Sequence, residues 1–447
     1  MKRLRVSFAV PLLSLVAMAA CHPQPDGTAP AIEAPLAPSP LALPLPPPAV
    51  PVPSAAALSA MRGPLLSTCT QEPQLRIRIQ TNLAGIAIGR GPLLISTDLT
   101  GPPHPFTGPL QVVRQGVGFA LTDANGKRWT WAAPNLVARA TQGAMAVGAQ
   151  TYQGTVGLAA RDSVHMDLIN DLPLETYLPG VLAKELYDSW HPEAYRAQAI
   201  TARSYAIWQM TKHRAEGRTF DMEASEASQA YVGVTRNAKA NQAVLATRGI
   251  VLTYDARILP AFYSSCAGGA TQDAAVAFPG RVADLPPLRG QAIGNAAALS
   301  PQFNWPALKR DKQDAIRRLA AWGASQKLPI AALGSLRLAR VSTRSRSGRP
   351  ASFELTDDAG HAFSIGGEEF RVALNGGQPD LPANLRLPSS FCSVRVAGND
   401  LVFENGHGYG HGVGLEQWGA EGMAKKGQKA ETILEKYYPG AVLQKAY

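Results

Sequence analysis

The chain has 447 residues, 46% of them hydrophobic, and a formal net charge of +10. That length holds two or three domains with a sizeable core, and the apolar content excludes a chain that is disordered throughout. The positive excess suits an anionic partner, yet the basic stretches 309–318 and 337–349 lack interleaved aromatics and read as solvated faces, so no nucleic acid is expected.

The first residues read as an export signal. Lys2, Arg3 and Arg5 precede an apolar run from Val6 to Ala17, too short to span a bilayer, and "MAA" sets small residues directly before Cys21. This resembles the bacterial lipobox, which implies a signal peptide over 1–20, a lipid-modified Cys21 and a membrane contact through that lipid anchor. The expected location is the cell envelope, as an exported lipoprotein. His22 is not the aspartate that commonly retains lipoproteins at the inner membrane, so the periplasm-facing outer membrane is expected if the cell is Gram-negative. Residues 22–53 then contain 12 prolines in 32 positions, a composition that favours extended polyproline II and cannot build a core. We assign 21–60 to a lipidated, proline-rich tether.

From Leu75 the texture changes to short strands. "LRIRIQ" alternates at period two, and "GIAIG", "GPLLIST", "PLQVVRQG", "GFALT", "KRWTWAA", "QGTVGLAA" and "VHMDLINDL" follow with Gly or Pro between most of them. Residues 75–170 are therefore β-rich. Two helices are predicted next, "LPLETYLPGVLAKELYDS" and "HPEAYRAQAITARSYAIWQMTKH", the second with Pro192 in its first turn. A mixed stretch reaches about Arg349, a strand-rich tail follows, and a C-terminal helix ends near "KYYPG". The fold class is α+β, with a β-rich N-terminal region and helices flanking a substrate cleft in 171–447.

Two features carry candidate chemistry. In the first helix Leu178, Val181, Leu182 and Glu185 share one stripe, which places a carboxylate on an apolar face. Burial raises the pKa of such a group and lets it act as a general acid. The competing reading is a buried Glu neutralised by Arg203 of the second helix, which lies beside the stripe Tyr195, Ala199, Ala202 and Ala206. Both readings stand on the sequence alone. The second feature is "NGHGYGHGVGLEQWGAEGMA", residues 405–424, in which His407 and His411 stand four apart. Gly408, Gly410, Gly412 and Gly414 make a helix here improbable, so the histidines sit on a loop or strand, with a helix starting near Glu416.

The segments "LPLETYLPGVLAKEL…W…EAYRAQAITARSYA", "SQAYVGV", "ILPAFYSSCAGGAT" and "GHGVGLEQWGAEGMAKKGQKAETILEKYYPGA" resemble, in order, those of the SpoIID/LytB family, over residues 75–447. That family includes stage II sporulation protein D and the amidase enhancers. The resemblance implies a peptidoglycan lytic transglycosylase that cleaves MurNAc-GlcNAc bonds of denuded glycan strands to 1,6-anhydro ends. Glu185 looks like its catalytic acid. Arg203, Gln229, Tyr231, Ser264, Ser265, His411 and Gln417 look like substrate-groove residues. The alternative is a non-catalytic glycan-binding module that enhances a partner cell-wall amidase. No cofactor is expected. No metal is expected either, since Cys266 has no nearby CxxC or HxxxC partner.

One carboxylate suffices for the transglycosylase, because the C6 hydroxyl of the sugar replaces the water that a hydrolase activates with a second acid. With Cys21 lipidated, Cys69, Cys266 and Cys392 remain. A Cys266–His411 nucleophile pair is the peptidase-like rival, and an exported chain favours a disulfide instead. We expect a Cys266–Cys392 bridge, because both lie in the matching region and Cys69 precedes its first clear strand.

Overall fold

The structure, a computed structural model, describes residues 55–447. The expected signal peptide, Cys21 and nearly all of the tether lie outside the described residues. The last tether positions depart from expectation, because Ala55–Arg62 is a helix, α1. It docks on the body of the protein through the Ala60 carbonyl, which accepts from Trp208 Nε1 at 3.1 Å, and the Met61 carbonyl, which accepts from the Ala283 N–H.

Two sheets follow. The first runs in the order Met222–Glu223, Gln74–Leu83, Met166–Pro173, Thr155–Ala160, Asn135–Ala140, Pro92–Ser96 and His104–Thr107. The second runs Gln150–Tyr152, Met145–Val147, Gly85–Ile88, Leu110–Gln115, Gly118–Thr122 and Arg128–Trp131. Period-two alternation decides which side chains enter the core: along Leu110–Gln115, Leu110, Val112 and Arg114 point in while Gln111, Val113 and Gln115 point out. Arg114 is tolerated inside because its guanidinium donates to the Gly118 carbonyl at 2.7 Å and the Asp162 carbonyl at 2.9 Å, and lies over the Phe119 ring. All the strands expected between 75 and 170 are present. His104–Thr107, Asn135–Ala140, Met145–Val147 and Gln150–Tyr152 are further strands that the sequence reading did not single out.

Met166–Pro173 runs directly into α2, Leu174–Glu185, so the strand register fixes where that helix begins. The next helix, α3, spans Pro192–Ala215, with His191 Nδ1 accepting from the Glu193 N–H as its N-cap and Pro192 at the first helical position. Ala197, Ala199, Ala202 and Ala206 are buried along it and let neighbouring helices approach closely. Among those neighbours are α2 and α4, Ala238–Ala246, the latter capped by the Asn237 side chain. Ile250–Tyr254 then pairs with the C-terminal strand Val442–Lys445, closing the fold with the end of the chain.

The short α5, Ala274–Ala277, precedes a region with its own hydrophobic core. Helices α6, Lys312–Gln326, and α7, Gly367–Asn375, cover two three-stranded sheets, and Leu319, Phe353, Leu355, Phe370, Leu401 and Phe403 form a cluster separate from the main one. The chain then returns through Gly406–His407 and Leu415–Glu416 to α8, Gln417–Ala424, and α9, Ala430–Tyr437. Leu415–Glu416 pairs in parallel with Tyr263–Ser264, which brings the start of α8 beside the segment 263–270.

Candidate functional site

Leu178, Val181 and Leu182 are fully buried, as the stripe on α2 requires, and Glu185 is half-buried at its end. Its carboxyl meets two neutral donors. The Ala230 N–H donates to Oε1 and Gln417 Nε2 donates to Oε2, each at 3.1 Å. The protein packed round the group raises its pKa; the two hydrogen bonds oppose that shift, and the negative charge of exposed Glu226 reinforces it. A carboxyl held this way, with no cation on it and partial exposure, can deliver a proton.

Arg203 is not the partner of Glu185. It is fully buried and forks onto Glu175, with Nε on Oε1 and Nη2 on Oε2, both at 2.8 Å. Its remaining donors reach the Ile250 carbonyl and the Thr247 hydroxyl. The expectation that Arg203 lines a substrate groove is therefore corrected: it is a buried tie between α2, α3 and the segment 247–250.

Gln229 and Tyr231 also turn inward, in contrast to the groove role expected of them. Gln229 accepts from the Tyr177 hydroxyl and donates to the Ala202 carbonyl, each at 3.2 Å. The Tyr231 hydroxyl donates to Asn170 Oδ1 at 3.1 Å, and its ring packs against Tyr177 and over Gly180, where a Cβ would meet the ring at 2.6 Å. These contacts clamp the loop against α2, and the clamp is what presents the Ala230 N–H to Glu185.

Gln417, in contrast, meets Glu185 directly. It opens α8, whose next residue donates its N–H to the Ser265 carbonyl at 3.1 Å. Ser265 is half-buried and joins the site through that carbonyl, whereas the buried Ser264 hydroxyl has no hydrogen-bond partner among the described residues. Glu416 faces the other way: it is fully buried, accepting from the Ala267 N–H at 2.7 Å and the Tyr437 hydroxyl at 3.1 Å.

The glycine-rich stretch is a close-packed corner. At Gly412 a Cβ would lie 2.6 Å from Arg349 Cζ, and at Gly414 2.0 Å from the Phe262 carbonyl oxygen, with φ of +74° and +69°. His411 sits there with Nδ1 accepting from the Val413 N–H at 2.9 Å and its ring edge-on to Phe278. Burial lowers its pKa to about 4, so the ring is neutral with its proton on Nε2. The Nδ1 of His407 is engaged separately, 2.7 Å from Asn304 Oδ1.

The expected Cys266–Cys392 disulfide is not formed; both are buried free thiols. Cys266 Sγ lies 3.5 Å from Glu416 Oε1, while Cys392 packs in the separate core of the 305–403 region. Fully buried Arg349 occupies the ground between their segments, donating to the Ala267 and Ala270 carbonyls and lying over the Phe391 ring. Burial, reinforced by the Glu416 charge, pushes the Cys266 thiol up to about 12, which removes the thiolate that a cysteine nucleophile needs.

Two open depressions of about 530 and 550 Å³, one beside Asn295, Met423 and Lys426 and the other beside Arg62, Tyr254 and Asp284, contain neither Glu185 nor its partners. The site is thus defined by its chemistry. Residues 162–254, which carry α2, α3 and the 225–233 loop, match the family model described as SpoIID, stage II sporulation protein. An uncharacterised protein of Brachyspira hyodysenteriae is 30% identical over 279 residues, 62% of this chain and 67% of that protein. The chain belongs to the SpoIID family. It is also similar to the amidase enhancer of Bacillus subtilis, 26% identical over 296 residues, 60% of this chain but 40% of that longer protein. Stage II sporulation protein D of the same organism is 25% identical over 292 residues, 62% of this chain and 76% of its own. The SpoIID match covers Glu185 and Ala230, whereas Gln417 and His411 come from beyond it.

Proposed function

We propose that the protein is a lytic transglycosylase of the bacterial cell wall, acting on the glycan strands of peptidoglycan with Glu185 as its single acid and base. One observation carries this reading: Glu185 is partly buried, its pKa is raised by burial, and the hydrogen bonds its carboxyl accepts among the described residues come from neutral donors. In the first half-reaction Glu185 gives its proton to the glycosidic oxygen as the bond from the muramic-acid C1 breaks. In the second, the Glu185 carboxylate takes the proton of the C6 hydroxyl as O6 bonds to C1. The product ends in a 1,6-anhydro ring, no water is consumed, and Glu185 finishes protonated as it began. The Gln417 amide and the Ala230 N–H stabilise the intermediate carboxylate. An envelope location, expected from residues 1–21, suits such a substrate.

A second reading draws on the relative named amidase enhancer: a glycan-binding module that stimulates a separate cell-wall amidase. Purified protein incubated with glycan strands freed of stem peptides separates the two. Mass spectrometry that finds new anhydro-muramyl ends supports the transglycosylase. New reducing ends would make it a hydrolase, and binding without new ends would leave the enhancer.

A further inference from the structure

Exposed Tyr187, two residues beyond Glu185, and half-buried Trp418, next to Gln417, form an aromatic pair, and we propose that this pair is a stacking subsite for a pyranose ring of the bound glycan. The inference rests on the glycan reading of the same site, and its test is chosen to tell the two apart.

Both rings are tied to the acid by chain connection. Tyr187 lies two residues beyond Glu185, and Trp418 directly follows Gln417, whose amide holds the Glu185 carboxyl. Their ring centroids are 5.7 Å apart. Tyr187 is 52% exposed. Trp418 is half-buried.

The pair is rigidly built. Buried Trp190 sets its ring edge against Trp418 at 5.0 Å and lies 5.5 Å from Tyr187, bracing both. The turn that carries Tyr187 is pinned at several points. The Tyr195 hydroxyl donates to the Tyr187 carbonyl at 3.1 Å, Asn237 Nδ2 to Asp188 Oδ1 at 2.7 Å, and Lys239 Nζ to the Asp188 and Trp190 carbonyls at 2.8 and 2.6 Å. The Trp418 backbone is fixed to Ser265. An aromatic face held out to solvent on a fixed frame loses little entropy when a ligand covers it.

The chemistry of the face selects its ligand. A pyranose presents axial C–H groups on one side and hydroxyls around its rim, so an aromatic ring can cover the apolar side while the rim stays hydrated. A glycan threaded past Glu185 would lay a neighbouring sugar on this pair.

The test is a calorimetric titration of the inactive Glu185→Gln protein with an N-acetylglucosamine hexasaccharide and with stem-peptide-free glycan strands. In that background Tyr187→Ala should weaken binding by about three- to tenfold, the range of one aromatic contact, and Tyr187→Phe should bind as the parent does. Thermal melts should move little, because about half of the side chain is exposed. If the parent binds and Tyr187→Ala binds equally well, or Tyr187→Phe loses as much as Tyr187→Ala, the subsite is overturned while the glycan reading stands. If the parent binds neither ligand, the glycan reading falls and the subsite falls with it.

Discussion

Two carboxylates on one helix have opposite fates. Glu175 and Glu185 both belong to α2, ten residues and about 15 Å apart along its axis. Glu175 is buried under a bidentate arginine and also accepts from the Gly249 N–H and the Tyr447 hydroxyl. Burial opposes its ionisation, but the Arg203 fork and these further donors outweigh it and hold the pKa below the ordinary range. Glu185 receives two hydrogen bonds from neutral donors, and there burial wins and the pKa rises. What separates a structural anion from a proton donor is thus the charge of the partner, since both groups are enclosed and hydrogen-bonded.

The sharpest break of that comparison is the same substitution at both positions. Glu185→Gln keeps size and hydrogen bonding, removes the proton, and should reduce release of anhydro-muramyl ends by roughly 10² to 10⁴ while the melting temperature barely moves. Glu175→Gln leaves Arg203 buried with its charge uncompensated, and should cost about 3 to 5 kcal/mol of stability, read from a urea midpoint. Pairing Glu175→Leu with Arg203→Met should recover much of that loss, because two apolar groups leave no orphan charge. A Glu185→Gln protein that still cleaves would sink the catalytic assignment, and a Glu175→Gln protein as stable as the parent would sink the structural one.

This pair also marks how far the sequence could be read. The stripe Leu178, Val181, Leu182, Glu185 was legible because helical periodicity is a local property, and so was the period-two pattern from Leu75 to Leu172. Which glutamate meets Arg203 was not legible. That depends on where α3 crosses α2 and on the segment 247–250 that closes over the pair, both consequences of tertiary packing. Gln229 and Tyr231 have side chains suited to sugars, yet their contribution is to aim a backbone N–H, and a backbone donor has no signature in residue type. The second core is hidden in a similar way: the apolar residues of 305–403 look like those of the main core, so the sequence does not show that Cys266 and Cys392 pack in different surroundings.

The next test extends the comparison to a third enclosed titratable group. Burial lowers the His411 pKa from 6.5 to about 4, the direction opposite to Glu185 because the charged form of histidine is the protonated one. As pH falls from 6.5 towards 4 the unfolded chain takes up a proton that folded His411 refuses, so stability should fall across that window and this contribution should flatten below about 4. Other acids titrate in the same range, so the quantity to measure is the difference between two proteins. His411→Gln should lose about 2 to 2.5 kcal/mol less than the parent between neutral pH and pH 4.5, by urea denaturation. Equal losses would mean that His411 is protonated in the folded protein.

The smallest expected effect bears most directly on why Glu185 differs from Glu175. The Gln417 amide donates to the Glu185 carboxyl, which favours the ionised form and opposes the rise that burial causes. Gln417→Met keeps the length of the side chain and removes the donor, so the Glu185 pKa should rise further. A general acid works while protonated, so cleavage falls as pH climbs through that pKa. The falling limb of the pH profile should therefore move to higher pH, by about half a unit to one unit, the equivalent of ~0.7–1.4 kcal/mol. Lost positioning alone would lower the rate at every pH and leave the limb in place. A limb that moves to lower pH would mean that the group titrating there is not a carboxyl hydrogen-bonded by Gln417, and the assignment of Glu185 as the acid would fail with it.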